Sequence, residues 1–305
     1  MDQPVGHSIQ VRLFLIRPIW RIGPGWAAVG GVLASGALLA APGHLLTLLL
    51  VWFIADPLLG TVWDMGVGGS STSAHRGVWR RLLTEQRPGH GSALVVFPYT
   101  QPDSRGQQLA ERLGRFWCWW RESFWPEAGH EFITVALGLG VALLLGAVLG
   151  PAVFVLVVFS VVLSWLAAVS PDEPPSHSPA SPARAGNATW RGLAEFGIAW
   201  LIGSVALGKA SPLVVALGVC YTATYLGLLR QPDRLWLAGA GQFAVTCLLV
   251  GLRYPLAAAV TAITLVPQGG LRARVGSPGA RGLCVRVVQP FILVSMVAAA
   301  LAIAR

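Results

Sequence analysis

Residues that could do chemistry are few in this chain, and the most telling of them lie near the end of one apolar run. Residues 44–66 read HLLTLLLVWFIADPLLGTVWDMG, and they carry two carboxylates, Asp56 and Asp64. Placing an acid at the centre of a membrane span costs about 2.5–3.5 kcal/mol on insertion scales, so such a residue marks a functional site by default. Asp56, flanked by Ile54, Leu58 and Leu59, lies within the run, whereas Asp64 falls where the run should leave the membrane. On a helix this spacing puts the two acids roughly 12 Å apart on nearly the same face, too far for one magnesium ion. Pro57, between them, is expected to kink the helix and to free a backbone carbonyl. Asp233 is the third acid placed near an expected span end, and the three form the candidate polar site.

Two histidines offer a second chemistry. His44 and His130 both stand at the start of an apolar run, and His130 is followed by Glu131, so a ring nitrogen could ligate a metal or a pigment magnesium. Alternation of spans puts His44 and His130 on opposite sides, which excludes a shared site; capping or interfacial roles fit them better. The four cysteines, Cys118, Cys220, Cys247 and Cys284, have no CxxC spacing and imply neither a zinc site nor a disulfide framework. Each reads as a small buried hydrophobe.

The elements that must position these residues follow from composition. The 305 residues are 54% apolar and only 11% charged, against about 25% charged in ordinary soluble domains. The excess apolar surface is expected to face lipid. Runs able to cross about 30 Å of hydrocarbon fall near residues 24–42, 44–63, 131–149, 151–169, 193–209, 212–229, 235–252, 254–268 and 288–304. Turns are expected at Pro42-Gly43, Gly150-Pro151, Ser211-Pro212 and Tyr254-Pro255, and the 254–268 run is short enough for a half-helix. The first run is long for a signal-peptide core and a second follows at once, so it reads as a retained helix. The fold class expected is all-α: a polytopic transmembrane bundle of about nine spans in one integral membrane domain over 1–305.

Charge sets the orientation. With the N terminus inside, the inner segments hold 19 of the 22 Lys and Arg residues, leaving Lys209, Arg253 and Arg305 outside. That asymmetry is a positive-inside signal with the C terminus outside, as in a bacterial cytoplasmic membrane. The excess of basic residues points to anionic lipid rather than nucleic acid. Small residues at four-residue steps, Ala27, Gly31 and Ser35, then Gly146 and Gly150, are expected to let helices approach closely.

Two segments flank the spans as surface helices. Residues 8–22 put Ile9, Leu13, Ile16 and Trp20 at helical spacing among arginines. Residues 107–125, QQLAERLGRFWCWWRESFW, place Leu109, Leu113, Phe116, Trp117, Trp120 and Phe124 on one face, with Glu111, Arg112, Arg115 and Glu122 opposite. Trp117, Trp119, Trp120 and Trp125 with Arg112 and Arg115 are the expected interfacial anchors. Residues 170–190 are rich in Pro and Ser and read as a flexible inner loop.

An opening RPIWRIGPGWAAVGGVLASGA and a second span ending GTVWDMGVG on the inner side resemble the UbiA superfamily of intramembrane prenyltransferases. The likeness covers most of the chain in topology and some forty residues in sequence. It implies a bundle that binds an isoprenoid chain, and in that family two Asp-rich motifs hold magnesium and the prenyl diphosphate. Asp64 falls where the first motif begins, but Gly68 stands four residues later; Asp233 stands for the second motif, followed four later by Leu237. The resemblance therefore implies the fold more than magnesium-dependent transfer. Three expectations follow. The first is a bundle holding an isoprenoid-type lipid, quinone or pigment; the second is an accessory subunit of a larger energy-transducing or photosynthetic membrane complex; the third is a prenyltransferase-like enzyme with atypical acids, using magnesium.

Overall fold

The computed structural model describes residues 22–63, 106, 113–114, 116–169, 189–190, 192–208, 210–229, 235–273 and 278–305. Among them every regular element is a helix. The chain parts into two compact units, residues 1–9 with 68–137 and residues 10–67 with 138–305.

In the larger unit, α1 (Pro24–Ala34) starts with proline at its first position, where the missing N–H is no loss. It stops well before residue 42. Ser35 Oγ donates back to the Val32 carbonyl at 2.7 Å, and Gly36 turns left-handed at φ 71°. A Cβ on Gly36 would stand 2.7 Å from the Ala304 carbonyl oxygen. The expected single span over 24–42 is thus two pieces, α1 and a single turn, α2 (Ala37–Ala40). The break allows the end of the chain to pack close.

After a 3-10 turn at Pro42–His44 come α3 (Leu45–Phe53), a π-helical turn (Ile54–Leu59) and α4 (Gly60–Trp63), without interruption. Pro57 sits inside that π turn rather than at a break. Further along are α5 (Trp125–Leu149), α6 (Pro151–Val169), a π turn (Leu193–Ile198) leading into α7 (Ala199–Val205), α8 (Pro212–Leu229), α9 (Leu235–Gly251), α10 (Pro255–Ala273) and α11 (Pro278–Ile303). Two boundaries move. The expected half-helix after Pro255 is a full helix that runs through Pro267, and α11 begins ten residues before the expected span, carrying Pro290 inside it. Prolines persist inside helices where neighbouring groups re-satisfy the freed backbone.

α1 is the hub of this unit. It packs on α7, α11, α3 and α8, while α8, α9, α10 and α11 follow one another as packed neighbours. Small residues make the closest approach. A Cβ on Gly31 would lie 2.2 Å from the Trp200 carbonyl oxygen and one on Gly203 would lie 2.1 Å from that of Ala28, so α1 and α7 touch backbone to backbone. Trp200, fully buried in the seam, donates its indole N–H to the Val214 carbonyl at 2.9 Å.

Large apolar side chains lie on the surface as well as in an apolar core. Leu46, Leu144, Val148, Val219, Phe243, Leu256 and Val266 are exposed, while Asp56, Glu195, Gln242, Thr224, Thr261 and Ser295 are buried. By length and composition one described stretch, Phe132–Leu149, can cross a membrane, and 11% of it is buried. Eight more apolar helical stretches among the described residues are 10–17 residues long.

Candidate functional site: two buried acids on π turns

The larger unit places each of two acids inside the protein on a π-helical turn. π turns are rare and recur at functional sites. Asp56, 9% exposed, lies in the turn Ile54–Leu59, and Glu195, 2% exposed, in the turn Leu193–Ile198. Both turns pack against α1 and against α6.

Asp56 stands at the amino end of α1. A Cβ on Gly25 would meet the Asp56 Cβ at 2.9 Å and the Trp52 indole nitrogen at 2.6 Å, and the N-cap residue Gly23 supplies no side-chain bond to the first turn. A short acid beside the uncapped amino end of a helix is in the region where anionic groups are favoured, by about 0.3–1 kcal/mol at exposed sites and up to about 2 when partly buried. One turn beyond Pro57, Trp63 donates its indole N–H to Ser160 Oγ of α6 at 3.1 Å, which fixes the end of this segment to the neighbouring helix.

Glu195 accepts a 2.5 Å hydrogen bond from the Tyr225 hydroxyl of α8. Tyr225 stacks on Phe196 with centroids 5.1 Å apart, Phe196 on Trp200 at 6.4 Å, and Trp200 on Tyr221 at 6.1 Å. At the far end of this row of rings, Tyr221 Oη and Ser295 Oγ share a hydrogen bond of 2.8 Å. Gly197, within the π turn, is close enough to Thr222 that a Cβ there would meet its hydroxyl at 3.3 Å.

The sequence reading singles out Asp56 and passes over Glu195. Its signal was the same: one acid in an apolar run, LAEFGIAWLIGSVALG. Asp64, Asp233, Arg112 and Arg115 lie outside the described residues, as do the 8–22 helix apart from Ile22 and the 170–190 loop apart from its last two residues. Among the described residues no three of His, Cys, Asp and Glu converge as metal ligands. His44 closes the turn Pro42–His44, with its Nδ1 buried and without a hydrogen-bond partner, and His130 lies within α5. The cysteines correct one expectation, since Cys247 is exposed and Cys118 and Cys220 are half-buried rather than buried.

In the smaller unit, the described part of the expected 107–125 aromatic helix, residues 113–114 and 116–125, is helical. A π turn runs over Trp120–Phe124, and Phe116, Trp120 and Phe124 of the expected apolar face meet ring to ring, Phe116 and Trp120 at 6.0 Å. Phe116, Trp117 and Leu113 are exposed at 52%, 62% and 50%, whereas Phe124 is buried. Trp120 stacks on Phe124 at 4.4 Å, and Phe132 meets both rings edge-on at 5.2 and 5.7 Å. Trp119, half-buried, and Trp125, exposed, flank this plate. Replacing Trp117 and Trp120 with Glu is expected to release this segment from the membrane surface, because interfacial Trp supplies both apolar burial and a polar anchor. Limited proteolysis of membrane vesicles reads the change; unchanged protection of the segment would contradict it.

No protein-family model matches the chain, and neither a curated protein nor a solved structure matches it.

Proposed function

We propose that the chain is an integral membrane bundle of nine spans, N terminus inside and C terminus outside, with the architecture of the UbiA superfamily. It holds an isoprenoid-type lipid, quinone or pigment among its helices and does not carry out magnesium-dependent prenyl transfer. The observation that carries the reading is the pair of buried acids, Asp56 and Glu195, each on a π turn and each turn packed on the same two helices, α1 and α6. Acids inside a membrane span are costly and gather where a bundle does its work. The many exposed apolar side chains and the buried hydroxyls of Ser160, Thr224, Thr261 and Ser295 support the same reading, since lipid favours an apolar surface. Asp64 and Asp233, each alone at its motif, do not supply the several carboxylate oxygens that a magnesium diphosphate needs. A bacterial cytoplasmic membrane fits the charge asymmetry.

Mass spectrometry of lipids co-purifying with the full chain in mild detergent tests the proposal. An isoprenoid lipid near one per chain is expected. Bulk phospholipid alone would contradict it. A second reading, an accessory subunit of a larger membrane complex, draws on the exposed plate of Leu113, Phe116 and Trp117, which a partner could cover as well as lipid; a stoichiometric protein partner in the same preparation would favour it. Asp64→Asn is expected to leave lipid content unchanged. Magnesium-dependent prenyl transfer abolished by that substitution would overturn the non-catalytic half of the reading.

A further inference from the structure

We draw no further inference here: the strongest candidate, the exposed apolar face of Leu113, Phe116 and Trp117 on the aromatic helix of the smaller unit, carries nothing because nothing in the structure shows what covers it.

Discussion

Asp56→Leu is expected to reduce recovery of monodisperse protein at least tenfold, whereas Asp56→Asn should retain a substantial part of it. Leucine is bulkier than aspartate, so overpacking contributes to the loss, at about 1–3 kcal/mol. The rest comes from α1. Its amino end is buried at Pro24 and Gly25, its N-cap Gly23 contributes no side-chain bond, and the Asp56 side chain lies against Gly25 beside the Trp52 indole. A helix leaves its first N–H groups without intrahelical partners, and a buried donor deprived of its partner costs about 1–3 kcal/mol. Asparagine keeps an acceptor there and loses only the charge. Fluorescence-detected gel filtration of a fusion protein measures both variants, and equal recovery of Asp56→Leu and wild type would show that Asp56 does not serve α1.

The second large effect is expected at the α1–α7 seam. Gly31→Val and Gly203→Val should each prevent a stable bundle. The new Cβ would stand 2.2 Å from the Trp200 carbonyl oxygen in the first case and 2.1 Å from the Ala28 carbonyl oxygen in the second. Overpacking a core costs about 1–3 kcal/mol when side chains can shift and more when they cannot. Here the obstacle is backbone on both sides, so the helices themselves must separate, exposing the buried Trp200. Gly43→Ala is the control, because nothing lies within 4 Å of a Cβ at that position. Its melting temperature should match wild type while both valine variants fail to give a cooperative melt; a normal melt for Gly31→Val would mean that α1 and α7 do not meet as described.

Much of this arrangement is legible in the sequence, for physical reasons that differ by element. Helices α6, α8 and α9 fall close to the expected spans because each is a long apolar run bounded by Pro or Gly, a signal that needs no tertiary context. The small-residue steps through Gly31 and Gly146 also match close contacts, Gly31 with the Trp200 backbone and Gly146 with Phe154 across the α5–α6 turn. What local pattern does not reveal is where a run breaks or shifts register. Gly36 ends α1 because the carboxyl-terminal end of α11, more than 250 residues away in sequence, comes against it; alanine-rich sequence around it favours continuing the helix. The three π turns are invisible to a 3.6-residue period, and two of them carry the buried acids. Glu195 has no local pattern that sets it apart, standing alone in LAEFGIAWLIGSVALG. Its tyrosine partner lies 30 residues on, in another helix.

The lipid-holding reading requires the buried acids to lie within a nine-span bundle, and labelling from each side of the membrane tests that premise most directly. In a background without other cysteines, Arg305→Cys should react with a membrane-impermeant maleimide in intact cells, and Cys118 should react only after the membrane is made permeable. Labelling of Cys118 from outside intact cells would contradict the bundle.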